Sequence, residues 1–540
     1  MSRGEANEGR RSMATGRDRP RRGRHRGGLP IDEEEVGRGR HSGPGPGCVM
    51  ELIPSLDASG VRFDETVDVV VVGLGAAGAS AVVGARQAGA DVLAVERSPG
   101  PGGTSAHSGG LIYLGGGTAL QNACGFQDSP DNMAAFLRAA LGPGADDDRV
   151  DAYCQGSPDH FDWLVSIGVP FRASFCDEPN RESADEAGLL FSGGEDTYPF
   201  DELAVPAPRG HKPECADSAG GFLMERLGAA VSTSGARVVT DAGVEALVVD
   251  GGAVVGLLAR TDDGPRAIRA LGGVILATGG FIHNEAMVAE HCPLAHVPDP
   301  AWRIGTPNDD GRGIRLGAGV GAATTRLDTF ECALPLGPPH RLARGILVNR
   351  DGRRFINEDA YTGRIGFHAL HDHDGFVYMI TDDVIHEPNA IGLRIGYAAA
   401  TPEELAVDLG IPPDALGRTV REYNEAAARG HDPAFHKRAP FLQPIGQPPA
   451  SGIGAIDLRV DHGAIYATFT LGGLVTDPDA AALDSQGHRI PGLFAVGRTA
   501  ASLAAHHYAS GISLGDGSFF GRRAGHKAAA HARADRSSLH

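Results

Sequence analysis

The sharpest feature in the alternation of apolar and polar positions is Val69–Val72, four consecutive valines closing on Gly73. A short run of β-branched residues ended by a glycine predicts a buried strand. Gly73, Gly75 and Gly78 stand at G-x-G-x-x-G spacing, small residues follow as far as Gly89, and a second apolar run closes on Glu96. This predicts strand, tight turn, helix, strand. The first glycine permits the turn, the second lets backbone approach a pyrophosphate, and the third lets helix pack on sheet. Amphipathic spacing predicts helices over 130–141, 151–167, 220–231, 402–409 and 412–428. Two apolar strands around Asp250-Gly251-Gly252 predict a hairpin, as does the stretch around Asp351-Gly352. The run Val274-Ile275-Leu276 and the run ending at Val496 are further buried strands, each closing on glycine.

These elements carry candidate chemistry. Phosphate belongs at the N-terminus of the first helix, at the backbone of Gly75 and Ala77, where free N–H groups and the dipole favour anions. Glu96, at the end of the second strand, can accept both hydroxyls of a ribose. The glycine and hydroxyl loop that follows, with Arg97, Gly103, Thr104, Ser105, Ser108, Gly109 and Gly110, is suited to wrap a second phosphate and a reactive ring. Val244 opens the hairpin, Thr278, Gly279 and Gly280 close a strand, Asp310 lies in a turn, and Gly497 and Arg498 follow the last strand; all are candidates for the same surface. A helix starting near Ser513 and Leu514 would aim its positive end at an anionic ring atom.

Composition narrows the class. With 540 residues, 41% hydrophobic and 22% charged, the chain can build two or three domains with sizeable cores. A net charge of −19 argues against nucleic-acid binding, which needs basic surface. Residues 1–49 are rich in Arg, Gly and Pro with almost no apolar side chains and are expected to be disordered, with more ordinary sequence from Met50. The longest apolar run, 69–85, contains four glycines and is accounted for as strand, turn and helix, so no membrane span or integral membrane association is expected. Seven scattered cysteines, an odd number without C-x-x-C, point to a reducing, cytoplasmic setting without structural disulfides. His371-Asp372-His373-Asp374 lacks a further ligand at fixed spacing, so no metal is expected. The expected fold is α/β: a nucleotide-binding domain in two parts, 62–280 and 467–540, with an α+β domain, 281–466, inserted as a cap over the substrate.

The pieces GLGAAG with Glu96, GGTSAHSGG, ILATGGF, GRRFINED, LGGLVTD and PGLFAVGR occur in the order seen in the flavoprotein family of fumarate reductases and 3-ketosteroid dehydrogenases, which this chain resembles from about Val67 to its C-terminus. The resemblance implies a Rossmann-type domain holding FAD, a capping domain over the reactive face of the flavin, and hydride transfer to flavin N5 from a carbon–carbon bond beside a carbonyl or carboxylate. Fumarate reductases carry a catalytic arginine four residues after the glutamate of R-F-x-N-E. Here that place holds Thr362, the nearest arginine is Arg364, and His506, His507 and Arg498 do not reproduce the substrate-clamping H-G-x-N-R-L arrangement. The Δ4-(5α)-dehydrogenase branch is matched better, through Tyr361 after N-E-D and through Tyr508 and Ser510 in Y-x-S-G-x-S-L-G-D-G-S. The Δ1 branch has Pro-Gly where this chain has Ala509-Ser510.

That branch implies desaturation of a 3-oxo-5α-steroid, a hydrophobic ketone, between C4 and C5, with an external electron acceptor. Such chemistry needs a donor on the C3 carbonyl, a base at C4 and a hydride acceptor over C5. Tyr508 is the expected base, with Tyr361 and Ser510 completing a proton relay or binding the ketone, and the roles can exchange. Tyrosine ionises near pH 10 and needs such help. The Gly511 and Ile512 amides are candidate carbonyl donors, and Tyr113 is a candidate wall of the substrate cavity. The rival readings are a Δ1-dehydrogenase, a fumarate- or urocanate-type ene-reductase, and a flavin-binding redox protein without turnover.

Overall fold

The computed structural model describes residues 50–177, 185–296, 302–336, 340–387 and 391–538; the expectation for residues 1–49 lies outside them. The four valines belong to the strand Glu65–Val72, which runs parallel to Val92–Val95 on one side and to the second half of Gly264–Leu276 on the other. A parallel strand covered on both faces has no solvent side, so its positions from Val67 onward are all buried. Each fully buried valine contributes on the order of 1.5–3 kcal/mol. The one polar residue among these buried positions, Asp68, accepts a hydrogen bond from the Asp91 amide at 2.8 Å.

Across the sheet the order is Leu56–Asp57, Gly243–Asp250, Ala253–Thr261, Gly264–Leu276, Glu65–Val72, Val92–Val95 and Arg237–Val239. Val274–Leu276 also pairs in parallel with Leu493–Ala495 of the strand Arg489–Ala495. Sequence from both ends of the chain therefore shares one sheet, and the fold is α/β with a Rossmann-type unit split in sequence, as expected. The hairpin at 250–253 is present, with Ala253 opposite Asp250.

One face of this sheet is covered by the helix Ala76–Gln87 and the C-terminal helix Ile512–Ser538. They meet backbone to backbone. A Cβ on Gly84 would lie 2.6 Å from Arg522 O, and one on Gly525 would lie 2.2 Å from Ala81 O, so both helices are written in glycine and alanine. This contact fixes the N-terminus of the C-terminal helix at the mouth of the glycine-rich turn.

Three further groups of strands contribute to the fold. Ile112–Tyr113, Gly210–His211, Leu189–Leu190 and Phe175–Cys176 form a small sheet beside the helices Pro130–Ala140 and Asp147–Ser166. Phe330–Ala333 and Ala467–Thr470 form an antiparallel ribbon. Ile346–Val348, Tyr378–Thr381, Ile453–Asp457 and Tyr397–Ala399 form a second four-stranded sheet. With the helices Pro402–Leu409 and Pro413–Arg429 it encloses an apolar core of its own. Thr401 caps the first of these helices by accepting from the Glu404 amide, with Pro402 at its first position and a left-handed Gly410 at its end. The helix Gly220–Thr233 covers its expected span. The hairpin expected at Asp351-Gly352 is corrected. The turn forms, with the Gly352 amide donating to Asn349 O, but only the single bridge Val348–Arg354 follows. The strand Ile346–Val348 instead pairs with Tyr378–Thr381.

Candidate active site

A cavity of about 700 Å³ opens at the end of the central strands, between the glycine-rich turn, the loop 96–111, the ribbon and the first turn of the C-terminal helix. At one end the backbone is bare. Gly73 has φ +94°, and a Cβ there would sit 2.5 Å from Ala277 O. A Cβ on Gly78 would sit 1.8 Å from Gly73 O, so this glycine stands behind the turn, where helix meets strand, and not in the cavity wall. Gly75 opens the helix Ala76–Gln87 without a side-chain cap of its own; Ser105 Oγ accepts from the Ala76 amide at 3.1 Å and supplies one. Glu96 Oε2 accepts from the Leu74 amide at 2.7 Å and Oε1 from the Ser98 amide at 2.8 Å. The carboxylate braces the turn and keeps a lone pair on each oxygen for a ribose.

Asp309 ties three distant segments together. Its Oδ2 accepts from Thr104 Oγ1 and from Arg498 Nη2, each at 2.7 Å, and the Thr104 hydroxyl in turn accepts from the Thr306 amide. Arg97 holds Asp310 at 2.8 Å. Gly75, Ala77, Gly103, Ser108, Gly109, Gly110, Val244, Thr278, Gly279, Gly497 and Leu514 all line the cavity. Gly280 does not; a Cβ there would lie 2.5 Å from Thr470 Oγ1, and its place is against the ribbon. Arg498 Nη1 and Ser513 Oγ are buried without a protein partner among the described residues, and both residues line the cavity. Unpartnered donors beside a helix start and a bare glycine turn are what a long anionic, hydrogen-bonding cofactor needs. The residues present fit FAD.

The other end carries the tyrosines. Tyr508 and Tyr361 both line the cavity, 9% and 6% exposed. The Tyr508 oxygen accepts from the Ser513 amide at 3.0 Å, at the start of the C-terminal helix. Burial pushes its phenol up to about 12, against the pull of that amide. Tyr361 donates to Glu331 Oε1 at 2.8 Å; burial and that carboxylate hold its phenol well above the usual tyrosine range. Glu331 lines the same cavity from the ribbon, and burial pushes its carboxyl up to about 7. Sequence reasoning missed it, although a glutamate inside the apolar stretch Phe330-Glu331-Cys332-Ala333-Leu334 was a signal.

Ser510 and Gly511 line the cavity, and the Gly511 amide has no acceptor among the described residues. Two expectations are corrected. Ile512 is buried outside the cavity wall, and its amide donates to Ala509 O at 3.1 Å, closing the turn before the helix, so it offers nothing to a ketone. Tyr113 is wholly buried with its ring stacked on Phe136, also outside the wall. Its amide donates to Gly511 O and its carbonyl accepts from Tyr153 Oη, so its backbone holds the Gly511 loop in place.

The wall around the tyrosines is apolar, from Ile304, Ala333, Pro335, Leu336 and Phe469. Of the three arginines in the lining, Arg97 and Arg498 face aspartates and Arg312 donates to Val244 O. Thr362 lines the cavity, whereas Arg364 is outside it, donating to Tyr198 O beside the Phe200 ring. His506 and His507 are also outside, against Phe367. No group of three metal-ligating side chains occurs among the described residues, and the six cysteines there are free. No helix there is long and apolar enough to cross a membrane.

Residues 68–514 match the FAD binding domain family. The chain is similar to the 3-oxo-5α-steroid 4-dehydrogenase of Comamonas testosteroni, 28% identical over 515 residues that cover 83% of this chain and 96% of that one. It is also similar to the crystal structure of 3-ketosteroid-Δ4-(5α)-dehydrogenase from Rhodococcus jostii RHA1 in complex with 4-androstene-3,17-dione. Identity is 44% and the TM-score 0.83, covering 88% of this chain and 100% of that one. A flavocytochrome c3 fumarate reductase in its open conformation shares 27% identity at a TM-score of 0.62, covering 88% of this chain and 80% of that one.

Proposed function

Because the chain belongs to the FAD binding domain family and is thereby an FAD-dependent oxidoreductase, we propose that it desaturates a 3-oxo-5α-steroid between C4 and C5. The observation that carries this reading is the far end of the cavity: two phenols and a carboxyl set in apolar walls, while each lining arginine among the described residues already meets a protein oxygen through at least one nitrogen. A lipophilic ketone finds a surface of its own kind and a few polar groups to orient it.

Bound FAD supplies the acceptor for two electrons leaving as hydride. The residues of the chain supply the rest. Glu96, the turn at Gly73–Gly75 and the start of the helix Ala76–Gln87 would hold the adenosine and pyrophosphate, beside the loop that Thr104, Asp309 and Arg498 tie together. The Gly511 amide and the Ser510 hydroxyl serve as donors to the C3 carbonyl, raising the acidity of the C4 proton. Tyr508 takes that proton. Its oxygen is the one whose anion is supported, by the Ser513 amide, the dipole of the C-terminal helix and the charge of Arg498. Tyr361, whose anion Glu331 opposes, passes a proton on and does not keep a charge. The electrons leave afterwards to an external acceptor, and the protein works in the cytoplasm.

The test is an anaerobic titration of the flavin-bound protein with 5α-androstane-3,17-dione, set against reoxidation of the chemically reduced protein by fumarate. The reading requires bleaching by the steroid and no response to fumarate. Fumarate turnover without steroid bleaching would move the protein to the reductase branch.

A further inference from the structure

Resting on the proposed desaturation, we infer that Glu331 is the proton acceptor behind the tyrosines, receiving from Tyr361 the phenolic proton displaced when the substrate gives up its own. Glu331 is 4% exposed and lines the cavity, and its carboxyl has Tyr361 as its only hydrogen-bond partner and no ion pair among the described residues. Three other buried carboxylates are matched differently: Asp128 by Arg209, Asp516 by Arg149, and Glu358 by Arg354 and Lys437. A carboxyl buried against one neutral donor is held close to neutrality, and one that also lines a cavity can gain and lose a proton there.

The surroundings are shaped around the pair. A Cβ on Gly363 would lie 2.0 Å from Glu331 Oε1 and 2.4 Å from Tyr361 Cε1, so the residue two places after Tyr361 leaves room for the carboxyl–phenol contact. The titratable groups facing Glu331 are few. Tyr361 comes from the start of the helix Thr362–His371, Cys332 is its chain neighbour, and Tyr508 comes from the loop before the C-terminal helix. His371, at the far end of that helix, packs at a tilt against Phe330, and His340 lines the same cavity. The paired strand Ala467–Thr470 carries no ionisable side chain. With burial lifting its carboxyl to about 7, Glu331 sits near the midpoint between acceptor and acid at neutral pH, where a relay terminus is most useful.

The proton and electron balance closes. The C4–H bond breaks, its proton going to the Tyr508 oxygen and its electron pair forming the C4=C5 bond. The C5–H pair would leave as hydride, with bound FAD supplying the two-electron acceptor. The phenolic proton of Tyr508 moves to the Tyr361 oxygen, that of Tyr361 to Glu331, and the carboxylate becomes a carboxylic acid.

The experiment is anaerobic stopped-flow bleaching of FAD-bound wild type and Glu331→Gln by 5α-androstane-3,17-dione, from about pH 5 to about pH 9. Glutamine keeps an oxygen to accept the Tyr361 hydrogen bond but cannot take the proton. The wild-type rate should rise through neutral pH. The variant should fall about 100-fold and lose that rise, with steroid and FAD affinities unchanged. Glu331→Asp should recover part of the rate and restore the pH dependence. A variant that bleaches at the wild-type rate, or keeps the neutral limb, overturns the role of Glu331 and leaves the desaturation standing. A wild type that no 3-ketosteroid bleaches overturns both.

Discussion

Gly78→Ala puts the cofactor turn to its sharpest test. The added Cβ would lie 1.8 Å from Gly73 O, and side-chain carbons essentially never come within 3.0 Å of such an atom, so turn and helix must part by about 1.2 Å or more. Neither side can yield by rotating a side chain, because both are backbone. The Leu74 amide held by Glu96 and the amides at the helix start move with the turn. Losing one charge-assisted hydrogen bond to a phosphate costs about 2 kcal/mol, or roughly 30-fold in affinity. Apoprotein reconstituted with FAD and followed by the loss of free-flavin fluorescence should therefore show Gly78→Ala binding at least about 30-fold more weakly. Gly60→Ala, whose Cβ meets nothing within 4 Å, should bind as the wild type does. Far-UV circular dichroism of the apoproteins checks that both variants fold. Unchanged FAD affinity in a folded Gly78→Ala protein would refute the reasoning that this turn holds the pyrophosphate.

Three further outcomes are expected. Tyr508→Phe should bind FAD normally and dehydrogenate about 100-fold or more slowly, which steady-state turnover with a dye acceptor measures; unchanged turnover would remove Tyr508 from the mechanism. Arg149→Leu leaves the Asp516 carboxylate buried without its partner at 3.2 Å and should cost about 3–5 kcal/mol of stability, read from urea unfolding. Burial lowers the imidazole of His211 to about 4, and its Nδ1 donates to Arg209 O while Nε2 accepts from the Thr118 hydroxyl. Its unfolded-state pKa is higher, so its contribution is complete above that value and lost as pH falls through the folded one. The penalty of His211→Gln, measured as a difference in melting temperature from the wild type, should shrink as pH is lowered from about 7 toward about 4; a penalty independent of pH would contradict the linkage.

The cofactor end was legible because its information is local. Four valines, three glycines and a terminal glutamate fall within one strand–turn–helix–strand unit, and backbone geometry leaves them one arrangement. Tyr361, Tyr508 and Ser510 were legible as parts of motifs. Their neighbours were not. Glu331 reaches the cavity because Phe330–Ala333 pairs with Ala467–Thr470, a contact no local pattern encodes. The turn at Asp351-Gly352 was readable from its residues, but the partner of the strand before it, Tyr378–Thr381, lies further along the chain. Ile512 and Ser513 differ by one residue, yet one amide closes a turn and the other meets the Tyr508 oxygen. Only the start of the helix decides between them. Tyr113 stands beside the flavin loop in sequence but turns its ring into the core, against Phe136.

The central claim is that this cavity removes hydrogen from C4 and C5 of a saturated 3-ketosteroid. Its most direct test is the product of one anaerobic turnover of the FAD-bound protein with 5α-androstane-3,17-dione, identified by mass and by the position of the new vinylic proton. The expected product is 4-androstene-3,17-dione in an amount equal to the flavin bleached. A double bond at C1–C2, or steroid recovered unchanged beside fully oxidised flavin, would contradict it.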